Sequence, residues 1–499
     1  MNGLFKMSSN KEKKPFLSSV FGSSVKMLDV AVGEMSENIQ RRFEVATERR
    51  VCLGISGLSR SGKSTFITSM LNQLLEYDKA KLSGFAPRVE DRLLSVKAIP
   101  LKNHRIKSFP YEENYRRIAS PEPAWPEPTV DISAYLLEIR LRNQQKSLIP
   151  WVSNESKLKL EIRDYPGEWL LDLPLMNMPY VGWCGQCLAQ YTVSPRNELL
   201  GDLYVDLQCV DPFAECDESH LFDLNKRFKD FLKACKSHGK SLSLIQPGRF
   251  LIPGDIDDEM GLSFVPLLKA RKFSDSELNK ASETSYFKVN EKFFERYKRI
   301  YVKPFLEDFF SGVDRQLVLV DVISAMYGGP DYLDDIREAM SRIAECFSYG
   351  RGGFIDRLIS PKIDRVVFAA TKIDQVGSED HESVRQLLEA IIRSTKQKIG
   401  HNGVSVRLEA TAAVRSSREY MLDGKKVVEG VDLYGKKKTF VNPQIPEDVP
   451  ESIDEWAHLL DFDTPTLRPP KGVFYKNHDV IPHIRIDSVL NSLLGDKCT

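Results

Sequence analysis

The sequence lacks the features that mark several special classes of protein. Lys+Arg and Asp+Glu both number 70, so the formal net charge is zero and no nucleic-acid partner is expected. No apolar run reaches the roughly 18 residues that a transmembrane helix needs. The first 14 residues are polar and lysine-rich and do not resemble a secretory signal. No internal repeat is visible. These absences favour an ordinary globular protein.

Cysteine is scarce as well. The eight cysteines are scattered irregularly over 499 residues, which is not the spacing of a disulfide framework. We therefore expect reduced thiols and a cytoplasmic location.

What the chain does contain is an alternation of strands and helices. A strand at 50–56 runs into a glycine-bearing turn and a helix, and the alternation resumes near 316 after a long interruption. This order predicts an α/β fold with a doubly wound sheet, a large helical insertion and a smaller second insertion. The predicted segments are a disordered tail (1–16), an amphipathic helix (17–48), the first part of the α/β domain (49–168), the helical insertion (169–314), the second part of the domain (315–414), the second insertion (415–480) and a helix that completes the domain (481–499).

Local patterns add further predictions. The strands Ala134–Leu141 and Lys157–Arg163 are spaced for a hairpin, and Gln316–Ile323 is apolar enough for a central strand. Residues 88–130 and Leu170–Pro179 are predicted to be loops. The amphipathic helix could dock on its own domain, on a membrane surface or on a partner. Other helices are predicted near 219–237, 286–311, 332–347, 383–399 and 484–494, and a polar hairpin is predicted within 415–480.

The most specific motif is GLSRSGKS at 57–64, which matches GxxxxGK[ST]. Such a loop wraps backbone N–H groups around phosphate oxygens, and the following helix adds the positive end of its dipole. Lys63 is predicted to reach the β- and γ-phosphates, and the Ser64 hydroxyl to bind Mg²⁺. The predicted phosphate-loop residues are Gly57, Ser59, Arg60, Ser61, Gly62, Lys63, Ser64 and Thr65.

Two further sites are predicted on the side of the γ-phosphate. Asp164 ends a strand in the run Asp164-Tyr165-Pro166-Gly167, where it can hold Mg²⁺, and Gly167 can offer its N–H to the γ-phosphate. Thr129 lies in the irregular loop before this strand and can sense the γ-phosphate through Mg²⁺. An ordinary solvated loop threonine is the alternative for Thr129.

Two motifs are predicted to read the base. In Thr371-Lys372-Ile373-Asp374, the carboxylate can accept hydrogen bonds from both N1–H and N2–H₂ of guanine, a donor pair that adenine lacks. The Lys372 stem can lie over the purine ring. The small residues of Thr411-Ala412-Ala413 would let a backbone N–H approach the guanine O6.

With these motifs in order, the sequence resembles the P-loop GTPases. The large insertion, the run Asp164–Trp169 and the ending His483–Asp487 resemble one branch, the bacterial YcjX-like stress-associated GTPase family, over nearly the whole chain. The resemblance implies a nucleotide-binding core in a cytoplasmic protein linked to envelope or heat stress. Peripheral association with the inner membrane is left open, and the protein effector is unknown.

Two residues depart from the pattern of most GTPases. Thr371 stands where most have Asn, although dynamin-like GTPases also use TKxD. Glu168 stands where Ras-type GTPases place a water-orienting Gln, and a carboxylate there would be repelled by the γ-phosphate. We therefore expect slow turnover.

Two other features of the sequence could have a chemical role. Trp183-Cys184-Gly185-Gln186-Cys187 is similar to a thioredoxin active site, and with Cys209 and Cys216 it could bind zinc, but a coincidence within the insertion is the simpler interpretation. Arg249 lies in a turn and could be an arginine finger or a solvated side chain.

The sequence thus predicts a GTPase that binds GTP, GDP and Mg²⁺. Lys63, Thr129 and Gly167 are the candidate catalytic residues, and Ser64, Thr129 and Asp164 are the candidate Mg²⁺ ligands. The alternatives are a P-loop ATPase and a module that holds nucleotide with little turnover.

Overall fold

The structure is a computed structural model that describes residues 48–58, 60–101, 106–144, 154–239, 241–254, 263–348, 363–460, 462 and 464–498. The tail predicted over 1–16 and nearly all of the helix predicted over 17–48 lie outside these residues. Glu48, the last residue of that predicted helix, begins the first strand instead.

Eight strands of the described residues form one mixed sheet. Its strands are β1 (Glu48–Gly57), β2 (Leu93–Ile99), β3 (Lys107–Ser108), β4 (Ser133–Arg142), β5 (Glu155–Asp164), β6 (Arg315–Val320), β7 (Arg365–Ala370) and β8 (Ser405–Ala410). The strand order is β2-β4-β5-β1-β6-β7-β8, with β3 beside β4. Strands β5, β1, β6, β7 and β8 are parallel, so they all end at the same edge.

Helices surround this sheet. They are α1 (Lys63–Leu75), α2 (Ala86–Val89), α3 (Tyr111–Ile118), α4 (Gly167–Asp172), α5 (Tyr180–Tyr191), α6 (Arg196–Leu200), α7 (Asp202–Cys209), α8 (Glu218–Ser237), α9 (Asp275–Leu278), α10 (Tyr286–Tyr297), α11 (Val322–Gly328), α12 (Pro330–Ser348), α13 (His381–Ile391), α14 (Arg393–His401), α15 (Ile453–Leu460) and α16 (Ile486–Leu494). None of these described helices combines the length and apolarity needed to cross a membrane.

The side chains of β6 show that both faces of the sheet are covered. Leu317 and Leu319 belong to an apolar cluster with α1 and α16, whereas Val318 and Val320 belong to a second cluster with α11 and α12. Alternate residues of a strand point to opposite faces, so a strand buried on both sides is apolar throughout. The mixed α/β architecture with a mainly parallel central sheet agrees with the sequence prediction.

The chain between β5 and β6 carries α4 to α10 in its described part. Its core is aromatic: the fully buried Trp183 lies 5.2 Å from Phe264 and 5.5 Å from Phe294 between ring centres. The helix predicted near 219–237 is confirmed as α8, where the Asp217 side chain accepts hydrogen bonds from two backbone N–H groups of the first turn. The helix predicted near 286–311 begins as α10 and continues as wider π-type turns from Lys298.

Both hairpin predictions are confirmed. Strands β4 and β5 pair antiparallel with Ser133 opposite Asp164. Within 415–480 the strands β9 (Ser417–Leu422), β10 (Lys425–Val431) and β11 (Lys437–Phe440) form a separate antiparallel sheet, one strand more than was predicted.

Three local predictions are wrong at least in part. The strand predicted over Gln316–Ile323 ends at Val320, because the Asp321 side chain accepts the Ser324 N–H and caps α11. Residues 88–130 contain β2, β3 and α3 as well as loop. Strand β2 was not predicted because it lies at the edge of the sheet, where a strand can contain polar residues. Leu170–Pro179 forms α4 and a 3₁₀ turn, because burial of its leucines outweighs weak local signals.

Candidate nucleotide-binding site

The loop 57–64 joins β1 to α1 at the common edge of the parallel strands. Gly62 and Arg60 have φ values of 77° and 60°, and the glycine adopts this left-handed conformation without strain. The Leu58 N–H donates to the Leu319 carbonyl at 3.1 Å and fastens the loop to β6. Helix α1 begins at Lys63, so its N-terminus and free N–H groups open directly beside the loop.

A polar cluster joins this loop to two distant segments. Lys63 Nζ donates to Thr129 Oγ1 at 2.8 Å and forms an ion pair with Asp164. Thr129 Oγ1 lies 3.0 Å from Ser64 Oγ and donates to Asp164 Oδ2 at 3.0 Å. The cluster therefore gathers hydroxyl and carboxylate oxygens, which are the ligands that Mg²⁺ prefers.

Gly167 lies against the phosphate loop. A Cβ atom at this position would lie 2.1 Å from the carbonyl oxygen of Gly57, so a larger residue would force the two segments apart. Gly167 also begins α4, whose first N–H groups have no partner within the helix. The start of α4 is thus held against the loop 57–64.

The segment after β7 forms the opposite end of the site. Thr371 N–H donates to the Val320 carbonyl at 2.9 Å. Lys372 adopts φ 61°, and its Nζ lies 2.6 Å from Asp321 Oδ2. Asp374 Oδ2 accepts the Ser416 N–H at 2.8 Å. Burial raises the pKa of Asp374 to about 6, although this hydrogen bond acts in the other direction.

Of the three residues predicted after β8, only Ala413 lines the site, where Val414 and Ser416 of the same segment also lie. Thr411 Oγ1 donates to the Ile484 carbonyl at 2.8 Å, and the Ala412 N–H donates to the same oxygen at 3.0 Å. These bonds tie Thr411 and Ala412 to the chain that leads into α16, away from the cavity described next. Ala413 does line that cavity.

One cavity of about 1140 Å³ connects these segments. Of the predicted residues, its wall contains Gly57, Arg60, Ser61, Gly62, Lys63, Ser64, Thr65, Thr129, Gly167, Thr371, Lys372, Asp374 and Ala413. Asp164 contacts two of them, Lys63 and Thr129. Ser59 lies outside the described residues.

The cavity also has walls that the sequence patterns did not predict. Trp125 contributes on one side, where its Nε1–H donates to the Leu467 carbonyl at 2.8 Å. Leu460 is the last residue of α15, Phe462 follows that helix, and Lys236 comes from the last turn of α8. No local motif marks these residues, because only the tertiary fold brings them to the cavity.

Cys184 and Cys187 lie in α5 and are buried. Burial raises the pKa of Cys184 to about 12, which disfavours the reactive thiolate. Helix α5 follows α4 and a 3₁₀ turn, whereas the thioredoxin arrangement places the motif after a strand. Among the described residues, no three His, Cys, Asp or Glu side chains are grouped to bind a metal.

Arg249 is neither solvated nor part of the cavity wall. Its exposed fraction is 7%, and its guanidinium carbon lies 3.1 Å from the centre of the Trp169 ring. Nη1 donates to the Pro253 carbonyl at 3.0 Å. Burial lowers the pKa of this guanidinium from its ordinary value. In this arrangement the arginine packs on α4 and does not reach toward the phosphate loop.

Comparison with known sequences shows the family to which the chain is similar. The profile of the YcjX-like family, DUF463, matches residues 51–498. A protein of Shewanella oneidensis named Ras-like GTPase YcjX is 33% identical over 485 residues, which cover 94% of this chain and 99% of that protein. A protein of the same name from Escherichia coli K12 is 35% identical over 457 residues, covering 90% of this chain and 96% of that protein.

Proposed function

This chain belongs to the YcjX-like family, and we propose that it binds GTP and GDP and hydrolyses GTP with the aid of Mg²⁺. The observation that carries the proposal is the single cavity shared by the phosphate loop, Thr129, Gly167 and the segment Thr371–Asp374. A GTPase needs these groups at the carboxyl edge of parallel strands, in this order along the chain. The names of the relatives support the same activity.

Mg²⁺ suits the oxygen atoms that meet here. Ser64 and Thr129 supply hydroxyls and Asp164 a carboxylate, and these residues would hold the ion. When bound, Mg²⁺ would neutralise charge on the β- and γ-phosphates.

The other residues of the site bind the phosphates at one end of the cavity and the base at the other. The phosphate loop offers N–H groups and the Lys63 ammonium to the phosphates, and these donors stabilise negative charge that develops as water attacks the γ-phosphate. Gly167 offers its N–H on the γ-phosphate side. Asp374 accepts two hydrogen bonds from guanine, and the Lys372 stem lies along the purine ring. The buried position of Asp374 strengthens this choice of base, because an unpaired carboxylate there is costly.

The finer proposal is a switch. We expect Thr129 and Gly167 to move toward the γ-phosphate when GTP is bound. We call the chain between β5 and β6 the helical region, and we expect it to convert that movement into binding of a protein effector. A regulator of the bacterial stress response, cytoplasmic or peripheral to the inner membrane, would suit this behaviour. Capture of different proteins by the GTP and GDP forms would support the switch, and identical capture would contradict it.

A second candidate function is a module that holds nucleotide with little turnover. It is favoured by the side chain of Glu168, whose Oε1 lies 2.6 Å from Lys236 Nζ and so is engaged elsewhere than with an attacking water. Single-turnover measurement of GTP cleavage separates the two candidates: release of phosphate supports the GTPase, and bound GTP that persists supports the holding module.

The phosphate loop gives the direct test of nucleotide binding. Lys63→Ala should abolish detectable GTP binding, because it removes the ammonium that faces the phosphates. Lys79→Ala is the matched control, since the exposed Lys79 lies outside the cavity wall and contacts Glu76, Asn477 and His478 instead. Equilibrium binding of a fluorescent GTP analogue measures both. Wild-type affinity in the Lys63→Ala protein would contradict the assignment.

A further inference from the structure

The carboxylate of Glu168 poses an electrostatic problem for the proposed function, on which this inference rests. Glu168 follows Gly167, which lies against Gly57 of the phosphate loop, and it lines the same cavity as Lys63 and Ser64. Its exposed fraction is only 7%, so water screens its charge poorly. An unneutralised carboxylate there would repel the γ-phosphate of GTP but would scarcely affect GDP, which lacks that group.

Lys236 supplies the opposite charge. Its Nζ lies 2.6 Å from Glu168 Oε1, and it lines the same cavity. The lysine belongs to the last turn of α8, so a residue far along the chain reaches the phosphate-binding end. The side chain of Lys236 is 36% exposed, whereas that of Glu168 is 9% exposed.

The segments on both sides of the Lys236–Glu168 pair make further contacts. Just after α8, the Gly239 carbonyl accepts a hydrogen bond from Arg60 Nη1 of the phosphate loop at 3.2 Å. On the side of Glu168, a Cβ atom at Gly248 would lie 2.5 Å from the Glu168 carbonyl oxygen, so the backbone of the helical region lies tightly against α4. The end of α8 is therefore joined both to the phosphate loop and to the start of α4.

From this geometry we infer that Lys236 is a positioning residue that neutralises Glu168 and thereby allows the cavity to accept the γ-phosphate of GTP. The lysine acts through Glu168, and it sets the affinity for GTP relative to GDP. It also links the helical region to the γ-phosphate side of the site, since displacement of α8 would expose the carboxylate to the nucleotide.

The test compares affinities for GDP and for a non-hydrolysable GTP analogue in the full chain. Lys236→Met should weaken the GTP analogue about tenfold or more and leave GDP nearly unchanged. Glu168→Gln added to Lys236→Met should restore the wild-type ratio, because the uncompensated charge is gone. Lys236→Arg should keep the ratio. Lys233→Met is the control, since Lys233 lies one turn earlier on α8 and pairs with Asp230 at the surface.

The outcomes are distinct. An unchanged ratio in Lys236→Met would overturn the inference, as would an equal loss of GDP and GTP affinity. Failure of Glu168→Gln to restore the ratio would also overturn it, because the lysine would then act on the phosphate itself. If Lys236→Met does not fold, judged by its thermal melt, Lys236→Gln takes its place with the same expected ratios. Failure of the proposed function has a different signature, a wild-type protein that binds neither nucleotide.

Discussion

In the proposed function, Asp374 is the residue whose protonation most directly controls the choice of base. Burial raises its pKa to about 6, which lies far above the ordinary value of a carboxyl group. Above this pH the group is ionised and can accept two hydrogen bonds from guanine. Below it, the group is protonated, and one acceptor position becomes a donor.

This shift predicts a pH dependence of base choice. The affinity for GTP relative to ATP should be highest at pH 7 to 8 and should fall as the pH is lowered through about 6. Titration of the phosphates cancels in that ratio, since both ligands are triphosphates. Asp374→Asn should flatten the curve. Competition binding from pH 5 to 8 measures the ratio, and a wild-type curve without a bend would contradict the role given to this carboxylate.

At the scale of helices and strands, the sequence predicted those elements that contain their own signals. Strand β1 and helix α1 flank a glycine motif, and the side chain of Asp217 caps the first turn of α8. Helix α4 was missed because Trp169 and its neighbouring leucines are helical through burial and not through local preference. Lys236 and Phe462 could not be predicted as cavity residues, because they are far along the chain from the phosphate loop and no local sequence pattern indicates that they lie near it.

The start of α4 and the loop around Thr129 are predicted to behave as switch elements. Thr129 contacts Lys63 and Asp164, and Gly167 lies against Gly57 of the phosphate loop, so a γ-phosphate bound there would alter the contacts of both segments. Backbone hydrogen exchange near Thr129 and Gly167 should slow with a non-hydrolysable GTP analogue and not with GDP. Strand β2, which lies at the edge of the sheet and outside the cavity wall, serves as an internal reference that should not change. Equal protection by both nucleotides would show that these segments do not respond to the γ-phosphate.

The cysteine motif of helix α5 is predicted to have neither a redox nor a metal-binding role. Its two cysteines are buried, and burial raises the pKa of both thiols. Cys184→Ala with Cys187→Ala should leave GTP turnover and bound metal unchanged, while lowering the melting temperature by a few degrees through lost packing. Elemental analysis that finds stoichiometric zinc in the wild type and none in the double variant would contradict this.

At the scale of the whole molecule, the site is a meeting point of segments from most of the chain. The phosphate loop lies near its beginning, and Phe462 near its end, yet both line one cavity. Parallel strands bring this about, because their carboxyl ends share an edge of the sheet. The pairing of Ala412 with Ile484 then brings the last helix back to the sheet.

The central claim is that this cavity selects a guanine nucleotide, and a competition experiment tests it most directly. GTP, ATP and XTP are titrated against a fluorescent nucleotide on the wild type and on Asp374→Asn. Leaving the buried carboxylate unpaired costs about 1–3 kcal/mol or more, so the wild type should prefer GTP to ATP by roughly tenfold to a hundredfold. The variant should lose affinity for GTP and gain affinity for XTP, because its amide can donate to the xanthine O2. If ATP displaces the probe from the wild type as well as GTP does, the account is wrong.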